Sequence, residues 1–328
     1  MKKKLTWNGI WQVVKQSFTG FSDDKVVKLS GSLAYFTIFS IGPMLIVIIF
    51  FADLFYGREA IEGTIYGQLR EFVGPDAAAQ IQSIIKNASL SGKSTATAII
   101  GFVTLLIGAT GVFSEIQDSV NIIWNLKPKP KKGWLKMLIN RLISFSVVVT
   151  LGFLMLVSLV VNGLIEGLMD RLQAQFPEMA VVVIYIINLL ITFVVITLLF
   201  AIIFKVLPDA IIKWKDVTVG AMSTAVLFMI GKFAITFYIG NSNIGTTYGA
   251  AGSLVVLLLW IYYSAIILYF GAEFTKAYAA SYGSRIQPSH YAVWIREIEV
   301  EDDGGTLKQQ EQIKKDENKN TGDHVTVK

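Results

Sequence analysis

The chain has 328 residues, 53% of them hydrophobic and only 16% charged, a formal net charge of +5, a pI near 9.1 and no cysteine. That composition excludes a disordered or a disulfide-built protein. Its basic residues are spread over short segments between long apolar stretches, which argues against a nucleic-acid-binding patch.

In chain order, residues 1–29 read as a cytoplasmic, interfacial segment. MKKKLTWNGIWQ places three lysines before a Trp-rich stretch, which is not the pattern of a cleaved signal peptide. Leu5, Ile10, Trp11, Val14 and Phe18 recur at helical spacing, with Lys15 and Gln16 elsewhere on the wheel. This predicts an amphipathic helix on the inner membrane face with its indoles at headgroup depth. Six apolar stretches follow, at 30–52, 96–124, 138–162, 180–204, 217–240 and 247–272. Each is long enough to cross a hydrocarbon core of about 30 Å, which takes about 20 helical residues. From Val181 to Phe204 the apolar residues occupy every face of a helix, with no stripe for water. The expected fold is therefore an all-α integral membrane protein, with six transmembrane helices in a domain over 30–272.

The segment 53–95 between the first two spans carries Ile61, Ile65, Leu69 and Phe72, then Ile81, Ile84 and Ile85, which predicts two short helices broken at Gly74 and Pro75. Leu164, Leu168 and Leu172 form a shorter signal of the same kind. Residues 273–300 read as a cytoplasmic C-terminal extension. Residues 301–328 are polar and aromatic-free, and read as a disordered cytoplasmic tail.

Orientation follows from the cations, because short cytoplasmic loops are enriched in Lys and Arg. With the N-terminus inside, 22 of the 29 Lys and Arg fall on inner segments and five on outer loops, while Arg141 and Lys232 lie within spans. Both ends are expected in the cytoplasm.

In the second span Gly101, Thr104, Gly108, Gly111, Glu115 and Asp118 share one helix face. Small residues let another helix approach closely, and the seam ends in two carboxylates near the inner side. Intramembrane acids are costly and face a partner or a wet cavity. Arg141, at the same level of the third span, could form a structural ion pair with them. Glu115, Gln117, Asp118 and Asn121 together exceed what one arginine needs, so a polar vestibule is the competing reading. Lys232, toward the outer part of the fifth span, either snorkels to the interface or, at the edge of the Gly220, Thr224 and Gly231 seam, attracts an anionic group.

GNSNIGTTYGAAGS, from Gly240 to Ser253, joins the last two spans. It reads as a tight outer turn, in which Gly245, Gly249 and Gly252 allow close packing, or as a pocket lined by Asn241, Asn243 and Tyr248. Pro43 bends the first span and is a candidate hinge. Only two histidines exist, His290 and His324, in or near the tail. With no compact constellation of acid, base or metal ligands, the residues argue against an enzyme, a bound metal or a cofactor.

SLAYFTIFSIGP, GVFSEIQDSVNIIW, LPDAIIKWKDVTVGA and TYGAAGSLVVLLLWIYYSAIILYFGAEF resemble the YihY/BrkB family of bacterial membrane proteins, formerly mislabelled as ribonuclease BN. The likeness covers most of residues 10–285. The family's pattern falls on Tyr35, Ser40 and Pro43, on Tyr248, Gly249 and Trp260, and on Gly271 and Ala272 before Glu273. The resemblance implies a six-helix protein of the bacterial inner membrane. Members have been linked to serum resistance, envelope lipid transport or ion exchange.

The resulting expectation is a transporter moving a lipid or other amphipathic anion across the cytoplasmic membrane, with anionic membrane lipids as partners and no nucleic acid. A proton- or cation-coupled exchanger and a structural or partner-binding envelope protein without transport are the alternatives.

Overall fold

The computed structural model describes residues 6–40, 79, 82, 111–129, 177–242, 248, 251–290 and 292–295. The expected third span, the two short helices within 53–95, the Leu164 to Leu172 signal and the tail lie outside the described residues.

Helix α1, Trp7–Asp23, is capped by Thr6, whose Oγ1 accepts from the Gly9 amide at 3.3 Å. The hydroxyl satisfies one of the amides that a first turn leaves open. After Asp24 the chain turns at Lys25, whose φ of 52° is left-handed and ends the helix, and α2 follows over Val26–Ser40. Helix α3 spans 111–123. It stops at Asn125, φ 56°, a residue type that tolerates this conformation, and passes into the strand β1, Leu126–Pro128.

Helix α4, Pro177–Val206, opens on a proline, which suits the first helical position, and closes just before Pro208. Strand β2, Ala210–Ile211, leads into α5, Trp214–Asn241, and then α6, Gly252–Ser281. Strands β3, Gln287–Pro288, and β4, Ala292–Trp294, come last.

Within these helices Ile186–Val206, Trp214–Asn241 and Leu254–Ser281 are long and apolar enough to cross a membrane. Leu190 and Val194 on α4 and Ile230, Phe233 and Phe237 on α5 are exposed, an apolar surface that suits lipid rather than water. Two details differ from the sequence expectation. Helix α6 begins at Gly252 rather than Thr247 and continues past Ala272 to Ser281. The fold is also not wholly helical: β1 pairs antiparallel with β4 and β2 with β3, in registers Leu126↔Trp294 and Ala210↔Pro288.

Helix α5 packs against both α4 and α6. Trp124, Val120 and Ile123 of the α3 region, Phe204 of α4, Ala221 of α5 and Tyr269 and Ala272 of α6 are buried together in the core. The α5–α6 contact rests on one motif used twice, Gly-Ala-x-x-Thr, at Gly220 to Thr224 and Gly271 to Thr275. Gly220 lies directly under Thr275 and Gly271 directly under Thr224, so the antiparallel helices interlock reciprocally. Each threonine Oγ1 donates to the carbonyl of its own motif's glycine at 2.7 Å, which satisfies the hydroxyl inside the seam.

Helix α1 runs antiparallel beside the end of α6, with Gly9 at Tyr282 and Gly20 at Glu273. Three faces result. Gly9, Val13, Ser17 and Gly20 turn to α6, whereas Trp7, Trp11 and Phe18 are exposed on a second face. Asn8, Gln12, Lys15 and Thr19 form an exposed polar third face.

Candidate functional site

Polar side chains gather at one end of the helix bundle, and several tie connections together. Asn121, in the last turn of α3, donates from Nδ2 to Asp209 Oδ2 at 3.1 Å and accepts on Oδ1 from the Asp209 amide at 2.9 Å. Both halves of the amide are thus matched at the α4–α5 connection. Trp124 Nε1 donates to the Ala272 carbonyl of α6 at 3.0 Å. Lys205, in the last turn of α4 where a cation complements the helix dipole, donates to the Ile212 carbonyl and lies 5.7 Å from the Trp214 ring centroid.

Asp216 is buried in the first turn of α5, where the dipole favours an anion. It accepts from the Ser284 amide at 3.0 Å and from Ser284 Oγ at 2.8 Å. Gly283 leaves room for this carboxylate, since a methyl group there would fall on it. With the two small sheets, these contacts form a collar joining the end of α3, the α4–α5 connection and the stretch after α6.

Two acidic clusters sit just inside the collar. In the first, Glu115 and Asp118 of α3 act electrostatically on Tyr269 of α6. The Tyr269 hydroxyl and that of its neighbour Ser119 are buried beside one another, and among the described residues neither has a further hydrogen-bond partner. Buried hydroxyls with so few partners are uncommon, and next to two carboxylates this pair has spare capacity to hydrogen-bond a polar headgroup or to hold a cation. In the second cluster Glu273 of α6 lies beneath Gly20 of α1. Lys276 Nζ is 3.8 Å from Glu273 Oε2 and 3.1 Å from Asp24 Oδ2.

The structure distributes the sequence-derived candidates unevenly. Glu115 is half-buried and Asp118 exposed, on the helix that meets Tyr269. Asn121, counted toward a polar vestibule, is instead committed to Asp209. Gly111 faces α2, where a methyl group on it would come 3.3 Å from Phe36 Cδ1. Gly220, Thr224 and Gly231 line the α5–α6 contact, and Lys232 beside them is half-buried. Asn241 is exposed and donates to the Phe237 carbonyl at 2.8 Å, closing the end of α5. Tyr248 is exposed and Gly252 buried at the start of α6. Pro43, Gly108, Arg141, Asn243, Gly245 and Gly249 lie outside the described residues.

Sequence reasoning missed Asp24, Asp216, Tyr269 and Lys276, and attached no role to Glu273. An acid at either edge of an apolar span was the available signal for Asp216 and Glu273. Nothing in the spacing of a single helix points to Tyr269 as the neighbour of Glu115.

A family model for virulence factor BrkB matches residues 17–293. A UPF0761 membrane protein of Stenotrophomonas maltophilia strain K279a is 26% identical over 264 residues, covering 79% of this chain and 59% of the relative. One from Alteromonas mediterranea is 24% identical over 282 residues, covering 84% of this chain and 91% of the relative. One from Xanthomonas axonopodis pv. citri is 28% identical over 268 residues, covering 79% and 59%. The chain thus spans about three-fifths of the length of the Stenotrophomonas and Xanthomonas relatives. No solved structure matches it.

Proposed function

Because the chain belongs to the virulence factor BrkB family, whose relatives are membrane proteins, we propose that it is a transporter moving a lipid or another amphipathic anion across the cytoplasmic membrane. The observation that carries this reading is the cluster of Glu115, Asp118, Ser119 and Tyr269 within an apolar bundle, at the end where the cations gather. Ten of the eleven lysines and arginines among the described residues belong to this end, and Lys232 is the other. Short cytoplasmic segments concentrate such residues, which supports six spans with both termini inside. Each cation near the surface attracts anionic headgroups by about 1 kcal/mol. Cargo held there would pass along the span containing Gly111, Glu115 and Asp118, with Lys232 of α5 drawing the anionic group toward the other side.

The test is movement of fluorescent anionic and neutral lipids in proteoliposomes, scored by access of a membrane-impermeant quencher. Wild-type protein should move anionic lipid above the level of empty liposomes, and Lys232→Ala and Glu115→Gln should each lower the rate. Unchanged rates in both variants would refute this mechanism. A second reading, a proton- or cation-coupled exchanger, is favoured by the buried carboxyl of Glu273, one oxygen of which accepts from no N–H or hydroxyl group among the described residues. Flux of a soluble ion with steep pH dependence, in the absence of lipid movement, would select it.

A further inference from the structure

The second acidic cluster has an unbalanced charge. Glu273 is 2% exposed, and its Oε1 is buried and, among the described residues, accepts from no N–H or hydroxyl group. Lys276 is the cation beside it, and that ammonium lies nearer Asp24, at 3.1 Å against 3.8 Å. Asp24 is close enough to Glu273 for one carboxyl to hydrogen-bond the other, and Asp23 adds another negative charge nearby.

Among the described residues, the neighbouring elements supply no further cation here. The α3 acids Glu115 and Asp118 face Tyr269, one turn earlier on α6, and Asp216 of α5 is bound to Ser284. On the α1 side Gly20 closes over the carboxyl and leaves no space for water there: a methyl group at residue 20 would fall on Glu273 Oε2 and 2.8 Å from its Cδ. Two ionised carboxylates sharing one ammonium would leave a buried net negative charge, which low-dielectric surroundings strongly disfavour. Two carboxyls facing each other lower that charge by sharing a proton.

We propose that Asp24 and Glu273 form a proton-binding site, occupied by one exchangeable proton while α1 is docked on α6. The neutral acid donates its O–H to the other carboxylate, and the Lys276 ammonium balances the charge that remains. The proton enters through Asp24, whose side chain keeps 18% of its surface exposed while Glu273 is closed off. Losing the proton places two negative charges on opposite sides of the α1–α6 contact and drives α1 away. The site is thus a pH-dependent latch between the first helix and the last span, whatever cargo the protein carries.

The experiment uses the full-length protein in lipid nanodiscs. Infrared difference spectra between neutral and alkaline buffer should show a protonated-carboxyl C=O band that disappears at alkaline pH. The band should be missing in Glu273→Gln, and also in Asp24→Asn, where Glu273 ionises against Lys276. Spin labels on cysteines at Gln12 and Ala280, both exposed, report docking. Their distance should lengthen at alkaline pH in the otherwise wild-type protein and stay short in Glu273→Gln, which imitates the neutral acid. Absence of the band from the wild type at neutral pH overturns the proposal without reference to any variant. So does a Glu273→Gln protein whose label distance responds to pH as the wild type does.

Discussion

Replacing Gly271 with alanine tests the α5–α6 interlock directly. The added methyl would fall on Thr224 Oγ1, 2.6 Å from its Cγ2 and 2.8 Å from its Cβ. Thr224 cannot simply rotate away, because its hydroxyl is bonded to the Gly220 carbonyl at 2.7 Å and the residue is fully buried. Overpacking of this kind costs about 1–3 kcal/mol, and the upper end applies because three atoms of one pinned, branched side chain are struck. Alanine recovers about 1 kcal/mol of helix propensity relative to glycine, leaving a net loss of roughly 2 kcal/mol. In a Thr224→Ala background two of the three struck atoms are gone and only the Cβ remains, so the same substitution should cost clearly less. Reversible unfolding in mixed detergent micelles of the wild type, both single variants and the double variant measures this as a coupling energy of at least ~1 kcal/mol, above the scatter expected for independent sites. Equal effects of Gly271→Ala in the two backgrounds would refute the interlock as the source of the contact's specificity.

Two further outcomes follow from the collar. Asp216→Ala removes both bonds to Ser284, and because hydrogen bonds to a charged group contribute about 1.5–3 kcal/mol, it should destabilise the same unfolding transition more than Ser284→Ala, which removes only the bond from Oγ. Equal losses would mean that the Ser284 amide contributes nothing. The chain has no cysteine, so single cysteines report sidedness cleanly: Tyr248→Cys should react with an impermeant maleimide in intact cells, and Lys213→Cys only after permeabilisation, the reverse pattern overturning the proposed orientation.

The positions of α4 and α5 were legible because length and composition act locally. Expected limits of 180–204 and 217–240 fall within three residues of α4 and α5, since a proline and a tryptophan flank runs that have nowhere else to go but hydrocarbon. What one helix meets was not legible. Gly220 and Thr224 were recognisable as a seam on α5, but that their counterparts are Thr275 and Gly271 depends on two helices meeting in antiparallel register. The strands were too short to show an alternating pattern, and their partners lie far along the chain. Asn121 illustrates the same limit in a polar residue: its place on a helix was evident, whereas its use depends on Asp209, which reaches it only when the α4–α5 connection folds back. The acidic pair at Glu115 and Asp118 was visible as an anomaly in an apolar span, while Tyr269 looked like ordinary packing.

The two small sheets impose an order on synthesis. β1 emerges from the ribosome long before its partner β4, and β2 before β3, so the backbone that follows α3 and α4 stays unpaired until then. Asn125 and Asp209 likewise wait for the amides of Ile295 and Ser289, which they accept at 2.9 and 3.0 Å. The helices can therefore pack as they appear, but the collar at this end closes only when the stretch from Gln287 to Ile295 arrives. A nascent chain stopped before it would keep the α5–α6 interlock and still lack the two sheets that complete the collar.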